Sequence, residues 1–382
     1  MRDFFPDGFY TARDRLRASL AQVRGFYPAA RLERYPLPYA PELAIEWITA
    51  VPPHPQRLLI LTTGLHGVEG YVGAAIIQLF LADFLPRLDA HTSGLLLVHP
   101  LNPWGMQQRR RVNGRNVDLN RNFFLLNDPE AYSPAINPAY DGLVDFLNPA
   151  RPARSMTAAD GLFAAGVARM LATVGVEGVR AGTLLGQYRF PRGIYYGGTA
   201  PEPEAAWLAE TLRAQLARYA QILLIDVHTG YGPRTQMSLV NSTREAATAV
   251  ELARRFDYPL VVKAVPGEFY AIRGDMVDFA YQLAAAEFPN RRLYATAFEF
   301  GTLGDSTLAG LRSLQALVLE NQEYWYGSTP RAYAAVKRRF DALFDPAESS
   351  WRAKALADAR QALAGILHAE GFIPGGSTHD TH

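Results

Sequence analysis

The chain has 382 residues, enough to bury a substantial core in one large domain or two ordinary ones. With 38 basic against 37 acidic side chains it carries no overall field that would draw it to nucleic acid or to an anionic membrane, so a small-molecule or peptide partner is expected. The absence of cysteine excludes a disulfide framework, a thiolate metal site and a cysteine nucleophile; any metal has to be held by histidine and carboxylate, and the lack of thiols fits a reducing compartment.

Taken in chain order, the start Met1-Arg2-Asp3-Phe4-Phe5-Pro6-Asp7 has an acid and a proline where a signal peptide needs an uninterrupted apolar stretch. No later run approaches membrane-spanning length, so a cytoplasmic protein with no membrane partner is expected. Apolar runs rich in Val, Ile and Leu recur at 43–51, 58–63, 95–99, 222–227, 237–240, 260–262 and 294–300, with helix-period stretches at 72–84, 204–220, 243–255 and 306–320 between several of them. Alternating strands and helices predict an α/β layer fold. The nearly continuous apolar run 222–227 reads as a strand covered on both faces.

Residues 124–201 break this rhythm, being rich in Pro, Asn, Gly and Tyr around one helix-like segment at 158–174. They read as a long excursion from the sheet rather than a separate domain, within a single domain spanning 1–370. Its portion Pro191 to Gly198 either lines a cleft or is a surface loop with two packed tyrosines. Within 331–369 helices are predicted at 332–343 and 350–369, followed by an unstructured tail, 371–382, in which His379 and His382 are expected to be frayed rather than functional.

Three features carry chemistry. The turn Gly64-Leu65-His66-Gly67-Val68-Glu69-Gly70 follows a buried strand and holds an imidazole and a carboxylate three residues apart, two ligand types for a divalent cation; the alternative is an exposed loop pair. Asp226-Val227-His228-Thr229-Gly230 puts a second imidazole where another strand opens into a loop, the place where ligand sites gather in open α/β sheets; the alternative is a histidine that caps a turn. Glu299 sits within the aromatic segment Ala297-Phe298-Glu299-Phe300, where lost hydration raises a carboxyl pKa and suits it to proton transfer, unless it points to solvent from an edge strand. Between these lies Asn102-Pro103-Trp104-Gly105 and then a stretch from Arg109 to Phe123 with five arginines, four asparagines and Asp118. That composition argues for a tightly hydrogen-bonded loop over an RNA-facing arm, and guanidinium forks fit carboxylates or a developing oxyanion.

On these residues the chain resembles the zinc carboxypeptidases, in the superfamily that also holds aspartoacylase and succinylglutamate desuccinylase enzymes, with its phrases His228-Thr229-Gly230-Tyr231-Gly232-Pro233 and Gly193-Ile194-Tyr195-Tyr196-Gly197-Gly198 closest to a bacterial branch of unassigned function. The resemblance covers about 58–303: H-x-x-E at His66 and Glu69, the N-P-x-G turn, R-x-N-(x)3-V-D-L-N-R-N-F from Arg111 to Phe123, D-x-H at Asp226 and His228, Tyr270 to Phe279, and Glu299, in the family's order. It implies a three-layer α/β fold, a mixed, mostly parallel twisted sheet with helices on both faces. It further implies one Zn²⁺ ion bound by His66, Glu69 and His228 with a position open for water, the ligand count of catalytic zinc. Glu299 would be the general base, Arg111 would stabilise the oxyanion, and Asn120, Arg121 and Tyr270 would hold a terminal carboxylate. Asp118 would orient His66, and Val277 would fall near the floor of a side-chain pocket. The reaction implied is removal of one residue from the carboxyl end of a peptide, with hydrolysis of an N-acyl amino acid as the alternative and a non-catalytic binding protein as a third reading.

Overall fold

The computed structural model describes residues 4–264 and 272–373. Eight strands, β1 (Arg31–Leu37), β2 (Ala40–Ala50), β3 (Arg57–Thr63), β4 (Ser93–Val98), β5 (Gln221–Gly230), β6 (Met237–Asn241), β7 (Val261–Lys263) and β8 (Arg292–Gly301), form one sheet in the order β1-β2-β4-β3-β5-β8-β6-β7. Its centre is parallel, β4 with β3, β3 with β5 and β5 with β8, while β1-β2, β2-β4 and β6-β8 run antiparallel and β6-β7 parallel. This is the mixed, mostly parallel α/β sheet the sequence implies.

The two-residue alternation of a strand explains the two apolar layers. Leu59 and Leu61 of β3, Leu223 and Ile225 of β5 and Phe298 of β8 point into one layer. Leu58 and Ile60, Ile222 and Leu224, and Ala295 point into the other. Helices Gly70–Asp83, Ala249–Phe256 and Ser349–Ala369 cover the first face, and Pro203–Arg218 with Met276–Glu287 cover the second. The helical stretch Gly67–Arg87 does reach membrane-spanning length and apolar character, contrary to the sequence expectation; 83% of its apolar window is buried inside the fold, where Ile76 and Phe80 fill the first layer.

Some elements differ from the periodicity reading. The helix placed at 243–255 is confined to Ala249–Phe256, because Thr248 and Glu251 close a capping box that fixes its start. Helix Phe9–Arg24, strand β1 and helix Met276–Glu287 are elements that the apolar periodicity does not mark: the first is broken up by arginines and β1 is an edge strand with little burial. The excursion's helix runs on to Met156–Leu184, with Gly175 at φ +69° inside it. Tyr140, Leu143, Met170 and Ile194 of the excursion pack on Leu314 and Val318 of helix Thr307–Tyr326.

Chain order places the site. β3 continues through helix Gly70–Asp83 to β4 on one side, while β5 joins β3 on the other after the excursion, so the connections diverge at the carboxyl ends of β3 and β5. Such a divergence leaves a crevice.

Candidate metal centre and cleft

The H-G-V-E turn is held by close packing of two loops. Gly64 has φ +68°, and a Cβ on Gly67 would lie 2.1 Å from the Gly105 carbonyl carbon. Asn102 accepts a hydrogen bond from Gly105 N at 2.8 Å, which shapes the N-P-x-G turn into the surface that Gly67 meets. The amides of Gly67 and Val68 donate to the carbonyls of Arg111 and Arg110, at 3.1 and 2.9 Å. The turn is thereby tied to the arginine loop.

This packing brings His66, Glu69 and His228 together, each buried, with one donor atom from each within 4.8 Å of the others. His66 Nδ1 lies 2.9 Å from Glu69 Oε1, His228 Nδ1 3.1 Å from Glu69 Oε2, and the two Nδ1 atoms 3.3 Å apart. Each ring has an acid on its far side: Asp118 Oδ1 at 3.1 Å from His66 Nε2, and Asp226 Oδ2 at 2.5 Å from His228 Nε2. Those acids fix the far nitrogens as N–H donors and turn both Nδ1 lone pairs and a Glu69 oxygen onto one point. Such a convergence needs positive charge. Burial opposes a proton on His228, yet Asp226 and Glu69 raise its pKa well above the ordinary imidazole value. A divalent cation meets the same demand with a donor set of two imidazoles and a carboxylate, so the residues present fit a metal of the zinc kind.

Around the cluster, Arg111 reaches Glu69 Oε1 at 3.1 Å and Asp118 Oδ2 at 3.3 Å, and Arg121 reaches Asp118 Oδ2 at 2.7 Å. Against the desolvation of full burial, these guanidiniums hold Asp118 well below the usual carboxylate range. The other arginines of the loop are paired too: Arg109 with Asp341 and Asp345, Arg110 with Glu320, and Arg115 with Glu202. Glu299 stands beside His228 in the β5–β8 register and accepts from Tyr231 N at 3.0 Å. Burial pushes its carboxyl up to about 8, with nearby His228 opposing and Glu69 reinforcing the rise.

A cleft of about 430 Å³ opens from this centre. Asn120, Arg121 and Asp275 line its polar end, where Asn120 Nδ2 donates to Asp275 Oδ2 at 3.0 Å and Asn120 Oδ1 accepts from Met276 N at 2.9 Å. Arg121 is 1% exposed, its guanidinium 4.9 Å from the centroid of the Tyr195 ring. Tyr195 lines the cleft while Tyr196 is buried in the second apolar layer, so the excursion's tyrosine pair divides between the two expected roles.

Val277 does not line the cleft among the described residues; the helix beginning at Met276 turns it into the apolar layer, and Ile272 and Asp275 line the cleft instead. Tyr270, His379 and His382 lie outside the described residues. The D-x-H motif gives Asp226 no task by itself, although the two-residue spacing from His228 puts both side chains on one face of β5. Asp275 and Phe344 carried no sequence signal of a place in the site, because sequentially remote elements bring them there.

Residues 5–358 match the model of a family described as proteins of unknown function, DUF2817. The chain belongs to that family. No curated protein matches this DUF2817 sequence. Among solved structures it is similar to carboxypeptidase A from Helicoverpa armigera, with 14% identity over 86% of this chain and 73% of that one and a TM-score of 0.43. It is also similar to a thrombin activatable fibrinolysis inhibitor, with 14% identity over 87% and 78% of the two chains and a TM-score of 0.47. A third is a succinylglutamate desuccinylase from Silicibacter sp. TM1040, with 15% identity over 78% and 67% and a TM-score of 0.38.

Proposed function

We propose that this DUF2817 protein is a zinc-dependent hydrolase that cleaves the amide bond joining an acyl group, in the general case a peptide, to an amino acid with a free carboxylate. The observation that carries this reading is the convergence of His66, Glu69 and His228 at the head of a cleft that also holds Glu299, Arg111 and Arg121. A bound zinc would polarise the amide carbonyl and acidify water at neutral pH. The chain's own residues divide the remaining work. Glu299, whose buried carboxyl is tuned towards neutrality, takes the proton from the attacking water and returns it to the departing nitrogen. Arg111, fixed by Glu69 and Asp118, faces the negative charge that grows on the carbonyl oxygen. Arg121, Asn120 and Tyr270 take the substrate carboxylate, and Asp118 and Asp226 hold the two imidazoles in their metal-facing orientation. Water is consumed: its hydroxyl goes to the acyl carbon, its proton to the nitrogen, and the C–N bond breaks.

The test is release of the terminal amino acid from N-blocked dipeptides and N-acyl amino acids by zinc-loaded protein, with a chelator control and with the carboxamide of each substrate. Chelator-sensitive turnover that drops at least a hundredfold on amidation is expected. Equal turnover of acid and amide would remove the carboxylate clamp, and chelator-resistant turnover would remove the metal.

A further inference from the structure

We propose that the acyl group this cleft accepts is a long, unbranched alkanoyl chain, so that the natural substrates are N-alkanoyl amino acids; this rests on the reading of the cleft as that of an amide hydrolase. The cleft is also lined by two helices that lie outside the sheet's own cover, Met156–Leu184 and Thr307–Tyr326. Val167 and Leu171, four residues apart, line it from the first, and Leu311, Leu314 and Leu317, at three-residue steps, from the second. These spacings put each set on one helical face. The two helices pack together through Met170, Leu314 and Val318, and Val167, Leu171 and Leu311 lie outside that joint. Leu171 is nevertheless 45% exposed. It is apolar surface lining the cleft that the described residues leave uncovered.

Among the described residues, Tyr195 is the polar side chain that packs on that wall, and the serines and acid along it are occupied or peripheral. Ser306 Oγ accepts from Ala309 N at 3.2 Å and Ser313 Oγ donates to the Ala309 carbonyl at 3.0 Å, both within the helix end that carries them. Asp305 and Thr307 are exposed at the mouth. A peptide laid along this wall would bring amide N–H and C=O groups that lose water and find few partners, a penalty that a methylene chain does not incur. The wall begins beside the cluster, where Leu317 packs with Val68 next to Glu69, so a chain leaving a carbonyl held at the cluster runs onto it. A volume of about 430 Å³ is within the range that encloses small molecules. Hydrolysis then yields a fatty carboxylate and a free amino acid, with no change of oxidation state.

The experiment measures kcat/KM of the zinc-loaded full chain on N-acetyl, N-butanoyl, N-hexanoyl, N-octanoyl and N-decanoyl leucine and lysine, beside N-acetylated tripeptides. A rise of about tenfold per two added carbons is expected until the wall is filled. Leu171→Asp and Leu311→Asp should each lower the decanoyl-to-acetyl ratio by about tenfold. A flat or falling series, or acetylated tripeptides outrunning the decanoyl compounds, would overturn the proposal while leaving the hydrolase reading in place. Calorimetric binding of the same series to the Glu299→Gln protein separates the two ideas: affinity that climbs with chain length without any hydrolysis by the unaltered protein removes the hydrolase reading and keeps the wall, and affinity independent of chain length removes the wall.

Discussion

Asp226 Oδ2 lies 2.5 Å from His228 Nε2, on the side of the ring opposite Glu69. Thr62 on the neighbouring strand donates to Asp226 Oδ1 at 2.6 Å, so the acid is itself held in place within the sheet. A ligand imidazole oriented by such a carboxylate loses basicity and direction when the charge is removed. Asp226→Asn is therefore expected to weaken zinc binding by about 10- to 100-fold, read by competition with a chromophoric chelator, with little change in the melting temperature of the metal-free protein. Unchanged affinity would show that the pair serves the sheet and not the centre.

Glu299→Gln keeps the shape and the hydrogen bond from Tyr231 N while removing the basic oxygen. Hydrolysis should fall by about 10²- to 10⁴-fold with zinc content unchanged by metal analysis. The carboxyl is pushed up to about 8 by burial, and a bound divalent ion pulls it back down. The ionised form is the active one, so kcat/KM should rise with pH through an acid limb lying below pH 8 and above the ordinary carboxylate value. The same limb persisting in residual Glu299→Gln activity would assign it to another group.

The central sheet and the cluster were legible because each rests on a local signal. β3 and β5 announce themselves by unbroken apolar runs, and His66, Glu69 and His228 sit immediately beyond them. What stayed hidden depends on contacts between remote segments. Asp275 enters the cleft as the cap of helix Met276–Glu287 bonded to Asn120, and no periodicity marks either fact. The apolar wall joins residues 140 positions apart, Leu171 and Leu311, which no spacing rule relates. Val277 lies in the apolar layer for the converse reason: its place in the Tyr270 to Phe279 segment says nothing about which way a helix start turns it.

Gly67 tests whether the ligand turn depends on loop contact. A methyl group there would lie 2.1 Å from Gly105 C and 2.2 Å from Met106 N, and both are backbone atoms that cannot swing aside. Gly67→Ala should therefore displace the turn that carries His66 and Glu69, lowering zinc affinity at least tenfold and stability by roughly 1–3 kcal/mol, the usual cost of overpacking. Wild-type affinity and melting temperature in this variant would mean that the two loops separate at little cost.

Glu204 lies away from the cleft, buried at the start of helix Pro203–Arg218, where it accepts a hydrogen bond from Tyr39. Burial raises its carboxyl from 4.5 to about 7, with the hydrogen bond from Tyr39 opposing the rise and nearby Glu202 adding to it. The folded protein thus keeps this proton where the unfolded chain has released it. Its contribution to stability is intact below pH 4.5 and is lost as the pH rises through 7, by roughly 3 kcal/mol in all. Glu204→Gln retains a polar group of the same shape and has no proton to release. Urea unfolding at pH 4 and pH 8 should show the variant gaining on the wild type by about that amount at the higher pH. Parallel stability curves would place the carboxyl in contact with water and remove the linkage.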